Sequence, residues 1–111
     1  MKLLSRSEEL LLLAIWRLQD EAYGIAIQKH LENLTDESWP ISAIYVPLRK
    51  FERSGYVRTF HGPPTPERGG RSKRFFRLTS DGLEALNYAR QVHEQAWSGL
   101  PSLGLEGESS A

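Results

Sequence analysis

From residue 62 to residue 73 the chain reads Gly62-Pro63-Pro64-Thr65-Pro66-Glu67-Arg68-Gly69-Gly70-Arg71-Ser72-Lys73, three prolines and three glycines in twelve residues. No helix passes through such a stretch. Proline lacks the backbone donor and clashes with the preceding turn, and glycine loses the most conformational freedom on ordering. On either side lie Tyr56-Val57-Arg58-Thr59-Phe60-His61 and Arg74-Phe75-Phe76-Arg77-Leu78, both rich in β-branched and aromatic residues. The pattern predicts two short strands joined by a protruding basic hairpin loop, with helices before and after the pair.

The segments before the hairpin carry helical signals. Ser5-Arg6-Ser7-Glu8 fits a capping box, in which the Ser5 hydroxyl accepts from the Glu8 amide and the Glu8 carboxylate accepts from the Ser5 amide. A helix starting there runs to about Gln19-Asp20, with Leu11, Ala14, Ile15 and Leu18 as its core stripe. Leu12, Leu13 and Trp16 lie off that stripe, so apolar residues cover most of the circumference and the helix asks for two buried faces. In a small domain the second is expected to be a subunit interface. A second helix over residues 22 to 34 places Tyr23, Ile27, Leu31 and Leu34 in the core, with Gly24 permitting close approach of a neighbour. After the polar turn from Thr35 to Pro40, Ile41, Ile44, Leu48 and Phe51 mark a third helix ending at Ser54-Gly55. Its opposite side carries Ser42, Tyr45, Val46, Arg49 and Arg53. Pro47 interrupts this helix near its second turn, where the cost of the lost donor is limited.

Beyond the hairpin, Thr79 or Ser80 caps a last helix with Asp81 favourably placed against its dipole, running through Leu83, Leu86, Ala89, Val92, His93 and Ala96 to Trp97. Leu100 to Ala111 is rich in glycine and serine and is expected to fray. At 111 residues, 40% hydrophobic and 25% charged, the chain has the make-up of one globular domain. The absence of cysteine removes disulfides and thiolate metal sites and suits a reducing cytoplasm. The longest apolar run, Leu10 to Trp16, is too short to span a bilayer and is wrongly flanked for a secretory signal.

The formal net charge is zero, yet residues 49 to 77 hold nine basic side chains and two acidic ones, a local net of +7 that the rest of the chain offsets. Such segregation presents one basic surface to a polyanion while the molecule stays neutral. The order of elements describes an α+β, mostly helical winged helix-turn-helix: three helices, a two-stranded wing and a C-terminal dimerisation helix. On this reading residues 1–78 form the DNA-binding domain, residues 79–98 the dimerisation helix and residues 99–111 a tail. The third helix then enters the major groove of duplex DNA. Ser42, Tyr45, Val46 and Arg49 are its candidates for base readout, Arg49 suiting a guanine edge and Val46 a thymine methyl. Lys50, Arg53, Arg58, Arg68, Arg71, Lys73 and Arg74 are assigned to phosphates or the minor groove.

Four stretches carry a resemblance: Glu9 to Ile15, Asp20 to Ile27, Ser42 to Val57 and, most specific of all, Pro64 to Thr79 across the wing. With them the chain resembles the PadR family of bacterial transcriptional regulators, in its short single-domain type, over roughly residues 5 to 97. The resemblance implies a dimeric repressor-type regulator on a pseudo-palindromic operator, its C-terminal helix crossing to the partner subunit. Tyr45 matches a tyrosine typical of the family's third helix, and Arg49 and Lys50 stand where polar or basic residues are common. Ser42 replaces a frequent glycine and Phe51 the usual leucine. The residues expected at the dimer interface are Leu12, Leu13, Trp16, Leu86, Ala89, His93 and Trp97.

Other functions fit less well. A winged helix also serves as a protein-binding module, docking a partner through Leu12, Leu13, Trp16 and Trp97, but basic density in the hairpin argues against it. Trp16 and Trp97 near an interface offer a platform for a small aromatic effector, or simply fill that interface. Asp20-Glu21 and Asp36-Glu37 are adjacent carboxylates whose side chains diverge, and no nucleophile–base spacing or phosphate-binding glycine loop occurs, so no enzyme and no cofactor are expected. His30, His61 and His93 fall on three different elements without cysteine support, so no metal site is expected either.

Overall fold

The computed structural model describes residues 2–64 and 72–101. Within them the chain forms α1 (Arg6–Leu18), a 3-10 turn (Gln19–Glu21), α2 (Gly24–Thr35), α3 (Ile41–Ser54), β1 (Val57–Pro64), β2 (Ser72–Leu78) and α4 (Ser80–Trp97). The architecture is a mostly helical winged helix-turn-helix with a two-stranded antiparallel sheet.

Local chemistry sets most boundaries. The Ser5 amide donates to Glu8 Oε1 at 2.8 Å and the Glu8 amide to Ser5 Oγ at 3.1 Å, so the capping box is complete. Lys50 reaches back to the same carboxylate at 2.9 Å. Together the Ser5 amide and the Lys50 ammonium hold the Glu8 carboxyl below its ordinary range, the backbone bond being the larger cause. Gly55, at φ 85°, ends α3 in the left-handed region, and the Tyr56 amide returns to the Phe51 carbonyl at 2.8 Å. Thr79 caps α4 by accepting from the Gly82 amide at 3.1 Å. The helix α3 continues through Pro47 without ending.

The core lies where α1, α2 and α3 meet the inner face of the hairpin and the first half of α4. Ile27 and Leu31 of α2, Ile44, Leu48 and Phe51 of α3, Val57 and Phe76 of the sheet and Ala85 of α4 are all buried there. The hairpin is longer than the sequence pattern indicates. Its strands extend through Gly62-Pro63-Pro64 on one side and from Ser72 on the other, with a register shift between His61 and Pro64 that lets prolines enter an edge strand. Residues 65–71, the expected loop tip, lie outside the described residues, as do residues 102–111. A further bridge joins Tyr23 to Phe75, and the Phe76 amide donates to the Ala22 carbonyl at 2.8 Å. The segment ahead of α2 is thereby stitched to the wing.

Several sequence expectations need correction. Leu12 is fully buried within the chain, and Leu86 and Ala89 are nearly so, because α1 and the first half of α4 pack on each other's apolar faces. These three are core residues and have little surface left to offer a second subunit. Leu34, expected in the core, is 59% exposed, since α2 meets its neighbours along Ile27 and Leu31. Ile41 is also exposed at the start of α3.

Candidate nucleic-acid interface

The helix α3 turns Ile44, Leu48 and Phe51 inward and presents Ser42, Val46, Arg49 and Arg53 to solvent. These four recur at intervals of four, three and four residues, so they fall on one face, directly away from the core. Tyr45 does not join them. It is half-buried, its ring 6.4 Å from Phe76, and its hydroxyl occupies the space where a side chain at position 24 would begin. Gly24 does admit a close neighbour, as its place in the sequence indicates, and that neighbour is Tyr45. The tyrosine assigned to base readout thus also packs, setting α3 against the start of α2.

The turn between α2 and α3 is pinned back onto α2 at Trp39, which composition alone does not reveal. The Trp39 amide donates to Glu32 Oε2 at 2.9 Å, and the Trp39 carbonyl accepts from Gln28 Nε2 at 2.7 Å. Its indole N–H donates to Thr35 Oγ1 at 3.0 Å, and that hydroxyl donates in turn to the Leu31 carbonyl at 2.8 Å. Three bonds at Trp39, in a five-residue connection, and the Thr35 bond that extends them fix where α3 starts and how it is presented.

The cations assigned to DNA contact divide by what they already touch. Arg49, Arg53 and Arg58 are exposed. Lys50 is paired with Glu8, and Arg74 stands 3.4 Å from Glu52, which also accepts from the Thr59 hydroxyl at 3.1 Å. Glu52 thus ties α3 to both strands. Lys73, near the start of β2, lies over the Tyr23 ring at 4.1 Å, which sets its ammonium beside the start of α2. Arg77 sits opposite Arg58 across the strands, bonds Asp20 at 2.6 Å and lies over Phe60. The surface pairs of Lys50, Arg74 and Arg77 are each weak in water, so a phosphate competes with them at little cost. Arg68 and Arg71 fall outside the described residues.

A second exposed region is apolar. Leu10, Leu13, Trp16, Arg17, Gln19, His30 and Leu34 line an open groove of about 800 Å³ between α1 and α2. Trp16 on α1 and Trp97 at the end of α4 are each about half exposed, at 49% and 48%. Past Ala89, α4 has no buried residue, and His93 Nδ1 accepts from the Arg6 guanidinium at 3.2 Å while the ring packs against Trp97. Leu13, Trp16, His93 and Trp97 therefore keep the exposure that an interface needs, unlike Leu12, Leu86 and Ala89.

Comparison with known proteins decides the family. The model of the Transcriptional regulator PadR-like family matches residues 12–88, most of the chain and every element from α1 into α4. The chain belongs to the PadR-like family of transcriptional regulators. Like the rest of that family it is a regulator and not an enzyme. Solved structures share its fold. RosR of H. salinarum is 20% identical, covers 88% of this chain and 81% of its own, and superposes with a TM-score of 0.66. A transcriptional regulator from Clostridium thermocellum is 17% identical over 81% of this chain and 84% of its own, also at 0.66. A PadR family transcriptional regulator from Eggerthella lenta is 24% identical over 78% of this chain and 70% of its own, at 0.56. No curated protein matches the chain. Among the described residues, no helix of this PadR-like regulator is long and apolar enough to cross a membrane.

Proposed function

We propose that this PadR-like regulator is a cytoplasmic repressor that binds a pseudo-palindromic DNA operator as a homodimer, inserting α3 of each subunit into the major groove and laying each wing along the flanking backbone. The observation that carries the reading is the stripe Ser42, Val46, Arg49 and Arg53. It combines a hydroxyl, a small apolar group and two guanidinium groups on the face of α3 turned away from the core. A guanidinium on such a face can pair with guanine O6 and N7, and the exposed Arg49 is assigned that role in this reading. Arg53, Arg58 and Lys73 lie further toward the wing and serve phosphates in this reading, joined by Lys50 and Arg74 once their carboxylate partners release them, and by Arg68 and Arg71. Residues 1–78 are the DNA-binding part in this reading and residues 79–98 the dimerisation helix. Leu13, Trp16 and Leu34 on α1 and α2, with Trp97 at the end of α4, supply apolar surface for the second subunit. Repression follows from occupancy, because an operator that overlaps a promoter excludes polymerase.

Selection of bound sequences from a random duplex pool, with the mass in solution measured by light scattering, tests the proposal. An enriched inverted repeat with half-sites about one helical turn apart supports it. Arg49→Ala is expected to weaken the selected site by about 1–3 kcal/mol and relax preference at one position. With roughly six to ten phosphate contacts per dimer, affinity falls about a thousandfold or more on moderate addition of salt. A folded protein that enriches no sequence refutes sequence-specific binding and returns weight to a protein-docking role for the same fold.

A further inference from the structure

The half of α3 that leads into a groove is uncharged. Ile41 to Leu48 carry no ionisable group that is charged at neutral pH, and all three cations of the helix, Arg49, Lys50 and Arg53, fall after them. Of these eight residues, Ile44 and Leu48 are buried and the Tyr45 hydroxyl is turned against Gly24, so the surface left is that of Ile41, Ser42 and Val46 with part of Ala43, Tyr45 and Pro47. Val46 is 61% exposed, more than any other large apolar side chain of the described residues, and Ile41 is 42% exposed. Side chains on a helix lean toward its N-terminus, so Ile41 projects ahead of the first turn and Val46 lies over Ser42. Two branched apolar groups therefore flank a single hydroxyl on the N-terminal half of the helix.

Only one base offers an apolar group in the major groove. Thymine presents its 5-methyl beside O4, whereas the other three bases present donors and acceptors alone. A branched aliphatic side chain set against those polar edges desolvates them without compensation, and set against a methyl it removes apolar surface from water on both partners. Resting on the reading that α3 enters the major groove, we propose that Ile41 and Val46 read thymine methyl groups, so that each preferred half-site carries A·T pairs beneath the first two turns of α3 and its guanine, if any, beneath Arg49. The hydroxyl of Ser42, which serves as donor or acceptor, fits between them against either base of such a pair. The assignment gives Ile41 a specificity role at a position where its spacing indicates core.

The methyl group alone can be removed from DNA. In the duplex enriched by selection, each thymine of one half-site is replaced in turn by deoxyuridine, and binding is measured for the wild type, Ile41→Ala, Val46→Ala and Arg49→Ala, each checked for an unchanged urea midpoint. Wild-type affinity is expected to drop about threefold to fivefold at one or two thymines, the loss of one buried methyl-sized group. Ile41→Ala and Val46→Ala should each abolish the uracil penalty at its own thymine, while Arg49→Ala retains both penalties. If uracil is tolerated at every position while Arg49→Ala still weakens the selected site, methyl reading is refuted and groove binding stands. If no duplex is enriched by the folded protein, the groove-binding premise fails and the assignment of Ile41 and Val46 fails with it.

Discussion

Replacing Gly82 by alanine is a sharp test of how α4 is seated, because two effects of opposite sign meet there. Gly82 is buried in the first turn of α4, and in an open helix alanine is favoured over glycine by about 0.8–1.0 kcal/mol. In this fold a Cβ at position 82 would stand 2.3 Å from the Tyr56 carbonyl oxygen and 3.2 Å from its carbon. That oxygen belongs to the backbone and is already held by the Thr79 amide at 3.0 Å, while the Thr79 hydroxyl donates to the Gly55 carbonyl at 2.5 Å. The clash cannot be relieved by turning a side chain. Overpacking of this type costs about 1–3 kcal/mol, and lifting α4 off the turn also weakens the Thr79 cap, which is itself worth about 1 kcal/mol. With the propensity gain deducted, Gly82→Ala is expected to destabilise the chain by about 1–3 kcal/mol. The corresponding fall in Tm is roughly 4–8 °C per kcal/mol for a domain near this size. Urea unfolding followed by circular dichroism at a fixed protein concentration measures the change. Asn87→Ala, on the exposed side of the same helix, reports the propensity term alone and should stabilise by a few tenths of a kcal/mol, roughly. Should Gly82→Ala raise stability as Asn87→Ala does, α4 does not rest on the Tyr56 carbonyl and the argument fails.

Gly24→Ala sets a Cβ 2.0 Å from the Tyr45 hydroxyl, so it should cost about 1–3 kcal/mol, and combining it with Tyr45→Leu should recover part of that loss in a double-mutant cycle of urea midpoints. Glu8, whose carboxyl is held below 4.5, contributes stability that is present above that pH and lost as pH falls through the depressed folded value; urea midpoints of Glu8→Gln should therefore be lower than wild type near neutrality and converge with it on the acid side. A constant gap down to strongly acid pH would contradict the capping role. Gln28→Leu removes the bond to the Trp39 carbonyl and should cost about 1 kcal/mol in urea unfolding, with DNA affinity falling further than stability if the turn sets the angle of α3.

What could be read from the residues alone was whatever local chemistry dictates. Ser5 and Glu8, Gly55 and Thr79 act within a few residues of themselves, through caps and a left-handed backbone, so the ends of α1, α3 and α4 were legible before any packing was considered. The glycine- and proline-rich segment announced a hairpin for the same reason, although the length of its strands did not follow, because an edge strand with a register shift tolerates prolines that a central strand rejects. The basic density from Arg49 to Arg77 survives any folding, and with it the expectation of a polyanionic partner.

Which flank of each amphipathic helix is covered was decided only in three dimensions. Periodicity places Ser42 and Val46 on the side of α3 opposite Ile44 and Leu48 and leaves Tyr45 on the flank, where the gap left by Gly24 and the ring of Phe76 take it inward, while Ile41 is left in water. Leu12, Leu86 and Ala89 were candidates for a subunit interface until the contact between α1 and α4 claimed them, and Leu34 lost its place in the core because α2 is covered elsewhere. The bridge from Tyr23 to Phe75, the Trp39 clamp and the Glu52 link between α3 and the wing join residues separated along the chain. A helix's own sequence states that it has an apolar side; the position of its neighbours decides how wide that side is, and so which residues remain to meet a partner.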